Sequence, residues 1–226
     1  MNILALDSSD QVLSAALETE TGLWYSEIDA GLRHSELLLE CIDGLCKIAG
    51  LLPQELKRIA CMKGPGSFTG LRIGFSTAKG LALALGIPLF SLPTLDCLAY
   101  PLSMWPGIVI PAIDAKKGCF FYSLYRQGKR LSDYMDAPAE KLAKEAEKVA
   151  LYSKEQIVLT GTGAELLYTQ LAEIIPQDHI KIDPDFRKGR AKELLVLAKS
   201  IILEGSDNID SGPLYIRKSD AELNRV

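Results

Sequence analysis

Three short stretches carry residue types suited to holding a phosphate or moving a proton. They are Asp7-Ser8-Ser9-Asp10, the string Lys63-Gly64-Pro65-Gly66-Ser67-Phe68-Thr69-Gly70-Leu71-Arg72-Ile73-Gly74, and Gly161-Thr162-Gly163. A glycine-rich turn opening a helix presents free amides and the positive end of a helix dipole, which suits an anion. The second stretch matches neither the G-x-x-x-x-G-K-[ST] spacing of a P-loop nor the dinucleotide G-x-G-x-x-G. The same residues equally make a tight strand–helix turn, with Pro65 fixing φ and its flanking glycines tolerating positive φ. Asp7 to Asp10 likewise reads either as a solvated turn or as a phosphate loop pairing an Asp with hydroxyls. The chain has two histidines, His34 and His179, and Leu38 stands four residues after the first. Two imidazoles one helical turn apart would converge on a metal ion, and this chain has no such pair. Ser67 and Asp114 have no base beside them in sequence, as a nucleophile or a catalytic acid would need.

The elements around these residues follow from apolar periodicity. Residues 2–6 and 12–17 are apolar runs on either side of the Asp7–Asp10 turn and read as a hairpin, with residues 24–28 as a third strand. Residues 35–49 read as a helix stopped by Gly50, with Leu38, Cys41, Ile42, Leu45, Ile48 and Ala49 as its core stripe. Leu37, Leu39 and Cys46 widen its apolar surface beyond one stripe, so the helix needs a second partner. Residues 58–62 make a short buried strand leading into the glycine turn, and Ser67 and Thr69 are placed to cap a helix over 71–85. On that helix Arg72 and Lys79 share one face, and Gly74, Ala78 and Ala82 make a stripe that another backbone could approach closely. Residues 101–107, rich in proline and glycine, mark a domain boundary. A second hairpin over 108–125, a Lys/Glu-rich amphipathic helix over 137–150, a strand at 156–160 before Gly161, a strand at 180–182 and a helix over 193–203 complete the pattern. The second half echoes the first in topology.

The 226 residues suit two small domains with real cores, given 48% apolar composition. No stretch is long and apolar enough to span a membrane, and the apolar start, Ile3 to Leu6, is too short for a signal peptide. Five scattered cysteines without a C-x-x-C pair read as reduced thiols in a cytoplasmic protein. The net charge of −4 argues against autonomous nucleic-acid binding. Arg187, Lys188, Arg190 and Lys192 form the densest basic cluster, either a solvated helix start or a contribution to RNA binding.

The string from Gly64 to Gly74 resembles the signature G-P-G-S-F-T-G-L-R-I-G of the TsaB (YeaZ) family. Ile113-Asp114-Ala115-Lys116-Lys117-Gly118 resembles that family's I-D-A-[KR]-[KR]-G-E-x-Y motif, with Cys119 in place of Glu. Gly161-Thr162-Gly163 is similar to its G-[DT]-G loop, and Pro213 to Arg217 to its terminal P-x-Y-[LI]-R. The resemblance implies an α/β, two-lobed actin-like (ASKHA) fold with mixed sheets flanked by helices. The lobes would be residues 1–103 and 104–203, with the tail 204–226 returning to the first.

What the resemblance implies for function is a catalytically silent subunit without cofactor or metal. It would bind and activate TsaD, which transfers threonylcarbamoyl from its adenylate to N6 of the adenosine beside the anticodon in tRNAs reading A-starting codons. TsaE, an ATPase, would be the third component, tRNA would be reached through the complex, and the chain alone would form a homodimer. The TsaB–TsaD contact resembles a helical bundle from the first two helices of each protein. That places His34, Leu38, Cys41, Ile42, Leu45, Arg72, Phe75, Ser76 and Lys79 near the partner. The alternative is an ATP-binding actin-like phosphotransferase or ATPase using Asp7, Ser8 and Ser9 with Gly161 and Gly163, against which Ser8 stands where such loops carry glycine. A peptidase built on Ser67 is the third reading, and it would have to recruit His34 or His179 from far away in sequence.

Overall fold

The computed structural model describes residues 2–150, 156–201 and 212–217. The chain forms two compact units, Met1–Cys97 with Lys188–Pro213 and Leu98–Arg187 with Leu214–Val226. In the first unit β1 (Ile3–Asp7), β2 (Val12–Glu18) and β3 (Leu23–Asp29) form an antiparallel meander. Strand β4 (Arg58–Gly64) then pairs parallel to β1, and β5 (Leu89–Pro93) parallel to β4, giving the order β3-β2-β1-β4-β5. Every residue of β1 is buried, as a central strand covered on both faces requires.

Helices α1 (His34–Ala49) and α2 (Phe68–Leu85) cover one face of this sheet. Both end on a left-handed glycine, Gly50 (φ 64°) and Gly86 (φ 63°), the conformation glycine adopts without a Cβ clash. The opposite face is lined by small residues, Ala5, Ala16 and Ala60. Onto it pack α3 (Thr94–Ala99) through Cys97 and α6 (Ala191–Ile201) through Ala191, Leu194, Leu195 and Ala198. The sequence reading put the last helix in the second lobe and the boundary after residue 103. The structure sets the first boundary at Cys97 and returns α6 to the first sheet, because its apolar stripe fits that alanine-lined face.

The second unit repeats the strand order with other residues. Strands β6 (Ile108–Asp114) and β7 (Cys119–Tyr122) are antiparallel, and β10 (Met135–Pro138) pairs antiparallel with β7. Strands β11 (Ile157–Thr160) and β12 (Ile180–Ile182) extend the other side in parallel, giving β10-β7-β6-β11-β12. The expected topological echo is therefore present strand for strand. A small hairpin, β8 (Tyr125–Arg126) and β9 (Lys129–Arg130), attaches to the start of β6. Helices α4 (Ala139–Ala150) and α5 (Ala164–Leu171) close the core with Leu142, Ala143, Ala146, Leu167 and Leu171. Most of the tail expected to return to the first lobe lies outside the described residues. Within 212–217, Arg217 bonds both carboxylate oxygens of Asp136 and the Ala115 carbonyl, all in the second unit. No described helix is long and apolar enough to cross a membrane.

The core assignment has a direct check on α1. Leu38 is 1% exposed and its neighbour Leu39 is 58% exposed. Leu38→Ala lowers unfolding free energy by about 2–5 kcal/mol, whereas Leu39→Ala stays within about 0.5 kcal/mol, both read from urea denaturation of the isolated chain.

Candidate functional site

The signature turn is shaped by the hairpin turn that rests on it. A Cβ on Gly66 would lie 2.4 Å from the Ser9 carbonyl oxygen, one on Gly70 2.1 Å from the Ser8 carbonyl oxygen, and one on Gly74 2.1 Å from Ser8 Oγ. These glycines recur every four residues, so once the helix begins they share the side that meets β1. Two of the amides that could have faced an anion, those of Ser67 and Gly70, are used inside the unit. Ser67 N–H donates to the Ser9 carbonyl at 2.7 Å, Gly70 N–H to Ser67 Oγ at 3.3 Å, and Ser8 Oγ donates to the Gly70 carbonyl at 2.8 Å. Ser67 is thus the N-cap of α2, which starts at Phe68 rather than near Gly70. Its hydroxyl has a structural task, and His34 donates Nε2–H to the Asp10 carbonyl at 2.6 Å.

Asp7 is engaged on both oxygens. Oδ1 accepts from Ser9 N–H at 3.0 Å and Ser9 Oγ–H at 2.6 Å, and Oδ2 accepts from Arg190 N–H at 2.9 Å. Burial pushes its carboxyl up from the ordinary value, against the pull of the Ser9 hydroxyl and the Arg190 and Ser9 amides. The Arg190 contact belongs to a clamp on the start of α6. Gly189 N–H donates to Glu27 at 3.0 Å and Ala191 N–H to Ser14 Oγ at 3.1 Å. Three consecutive amides at a helix start, which have no partner within the helix, therefore find acceptors on β3, β1 and β2. Tyr25 closes the set, donating to Glu27 and lying near the Gly189 carbonyl at 3.1 Å.

Gly161 and Gly163 make the corresponding contact in the second unit. Gly161 has φ 85°, and a Cβ there would lie 2.6 Å from the Ala112 carbonyl oxygen, while Gly163 N–H donates to that oxygen at 2.9 Å. The loop is thus fitted to the end of β6. Asp114 accepts from the Lys116 amide at 2.8 Å and from Lys116 Nζ at 2.7 Å. Burial opposes its ionisation, but these two donors outweigh it and hold the carboxyl below the usual range. Among the described residues no three His, Cys, Asp or Glu side chains gather as a metal site would require.

Of the residues placed near a partner, His34, Leu38, Cys41, Ile42, Leu45 and Phe75 are buried in the first unit. Those positions are corrected: the helical stripe faces the chain's own sheet, the ordinary use of such periodicity. The small stripe Gly74, Ala78 and Ala82 is buried there too, and what approaches Gly74 is the side chain of Ser8. Arg72 and Ser76 are exposed, and Lys79 is half-buried. The outward surfaces of α1 and α2 carry Leu39, Ile48 and Leu83, respectively 58%, 74% and 65% exposed. Of the basic cluster, Arg187, Lys188 and Lys192 are exposed, as a solvated helix start would have them, and Arg190 is buried. Arg187 pairs with Glu165, and Lys192 lies over the Tyr25 ring at 4.1 Å.

Two units with one strand order, each a mixed sheet flanked by helices, define an α/β protein of the two-lobed actin-like (ASKHA) class. A family model described as TsaD, tRNA N6-adenosine threonylcarbamoyltransferase, matches residues 28–225. The tRNA threonylcarbamoyladenosine biosynthesis protein TsaB of Bacillus subtilis is 27% identical over 224 residues, 98% of this chain and 96% of the relative. Its namesake from Escherichia coli is 32% identical over 130 residues, 56% of each chain. The solved structure of YeaZ from Pseudomonas aeruginosa superposes with a TM-score of 0.78 at 28% identity, covering 95% of this chain and 99% of that one. The chain belongs to this family, in its TsaB (YeaZ) branch of tRNA threonylcarbamoyladenosine biosynthesis proteins.

Two measurements test the closed turn. Gly70→Ala forces a Cβ against the Ser8 backbone and destabilises the chain by about 1–3 kcal/mol in urea denaturation. For Asp7, a carboxyl raised in the folded state binds its proton more tightly there than in the unfolded chain. Its contribution is complete below the ordinary Asp value and lost as pH rises through the raised one. The stability of wild type relative to Asp7→Asn therefore falls as pH is raised from about 3.5, and a pH-independent difference would contradict the burial account.

Proposed function

We propose that this chain is a non-catalytic subunit that binds and activates TsaD. TsaD would carry out the transfer of threonylcarbamoyl from its adenylate to N6 of the adenosine beside the anticodon. TsaE joins as the third component, tRNA is reached through the complex, and the chain alone pairs with a second copy in the cytoplasm. The observation that carries this reading is a pair of glycines without an internal reason. Gly44 lies in the middle of α1 and Gly80 in the middle of α2, and a Cβ on either would meet nothing within 4 Å. A mid-helix glycine costs about 1 kcal/mol relative to alanine, and neither is needed for a turn or a contact within the chain. Both suit the close approach of another backbone. On α2, Gly80 lies among Ser76, Leu83 and Ala84, an exposed group without a charge. A partner of related fold would present the same pair of helices, and two copies of one chain would cover the surface isologously.

Light scattering after size exclusion, with TsaD of the same organism, tests the reading. Wild type forms a one-to-one complex, and Leu83→Glu abolishes it while keeping wild-type circular dichroism. Gly80→Ala separates the roles of the position. It stabilises the isolated chain by up to about 1 kcal/mol yet weakens the complex. A Gly80→Ala chain that is stabilised and binds TsaD as wild type does would remove the interface from this face. A wild-type chain that ignores TsaD but binds ATP would replace the scaffold reading with the enzyme one.

A further inference from the structure

We propose that the β8–β9 hairpin, with the loop beside it, is an RNA-binding surface that contacts the phosphate backbone of tRNA. The choice of tRNA as the RNA rests on the function proposed above. Charge is the first ground. Between Cys119 and Ser132, the stretch that forms the hairpin, the cations are Arg126, Lys129 and Arg130 and there is no carboxylate, in a chain whose net charge is −4. The next carboxylate is Asp133. A surface that serves only solubility mixes both signs, whereas binding to phosphate leaves a one-signed footprint.

Geometry is the second ground. Strands β8 and β9 are joined by Gln127 (φ 47°) and Gly128 (φ 72°), the two-residue turn that keeps a hairpin short and its register fixed. Both residues of β9, Lys129 and Arg130, are exposed. The Arg130 guanidinium lies 4.2 Å from the centre of the Tyr134 ring. On the other side, the hairpin tip meets the preceding loop, since a Cβ on Gly128 would lie 3.3 Å from Ser103 Cβ. That loop exposes Met104 at 90% and holds Trp105 half-buried, with its indole N–H directed at the Gln156 carbonyl at 3.5 Å. Cations for phosphates next to flat rings and an apolar side chain for bases are the combination that binds unpaired nucleic acid. On the hairpin itself Lys129 and Arg130 are the exposed cations.

The test uses the full chain, alone and with TsaD, against an in vitro transcribed tRNA carrying an ANN-reading anticodon. Affinity is followed by fluorescence anisotropy between about 50 and 200 mM salt. Lys129→Glu with Arg130→Glu is expected to weaken binding by about tenfold or more and to flatten the log–log salt slope by about 2. Tyr134→Ala weakens binding with the slope kept. Light scattering on the same samples reports the TsaD complex independently. A complex that forms and binds tRNA equally well with the double variant overturns the RNA surface and leaves the scaffold function standing. A chain that ignores TsaD yet binds tRNA through Lys129 and Arg130 does the reverse. Wild type without measurable affinity for tRNA in either form, or a double variant that loses TsaD or TsaE rather than tRNA, also overturns it, the latter making the hairpin a protein contact.

Discussion

The first unit depends on one backbone fit, the Ser8-Ser9 turn lying against the Gly66, Gly70 and Gly74 side of the β4–α2 connection. With carbonyl oxygens at 2.1 and 2.4 Å from positions where a Cβ would stand, no other residue is admitted at Gly66 or Gly70 without moving the turn. This contact sets where α2 begins and how it leaves the sheet. A sequence that looks like an anion loop is here a joint. Its hydrogen bonds run from Ser67 to Ser9 and from Ser8 to Gly70, between segments about sixty residues apart.

The same topology is closed by different means in the second unit. There Gly161 and Gly163 meet the Ala112 carbonyl, so the glycines again stand where a helix-leading turn backs onto the end of the first strand. The first unit adds a clamp of Glu27, Asp7 and Ser14 on three successive amides of the last helix. Asp7 is therefore a keystone between the first strand and the last helix. Its raised carboxyl records burial, since the donors around it pull the other way.

The sequence reading reaches most of the strands and the echo between the halves because apolar runs broken by Asp, Gly and Pro are local signals, whereas the order of the strands in each sheet comes from pairing. It found the stop of α1 at Gly50, also a local signal. It missed β10, whose four residues Met135-Asp136-Ala137-Pro138 show no apolar alternation and which is a strand through pairing with β7. It also misplaced α6, because nothing within residues 187–203 reports that their amides meet acceptors on β1, β2 and β3. The larger error concerned α1 and α2. The resemblance places Leu38, Cys41, Ile42, Leu45 and Phe75 near a partner, although the first four also form the expected core stripe of α1, and each lies in the core. Periodicity reports that a helix has a buried stripe and is silent on whether the chain's own sheet or another protein buries it.

The glycines bear on that ambiguity, because each one is a cost that some contact must offset. Gly50 and Gly86 supply left-handed caps, Gly66, Gly70 and Gly74 admit the Ser8-Ser9 turn, and Gly161 and Gly163 admit β6. Gly44 and Gly80 have ordinary helical surroundings, open space where a Cβ would stand, and no task inside the chain. Alanine would serve the isolated protein better at both positions. The two helices that share one face of the sheet each carry one such residue, as a surface fitted to another helix would. Under the proposed function, the partner-facing side of α1 and α2 would be the one that carries Gly44 and Gly80, while the apolar stripe is accounted for by the core.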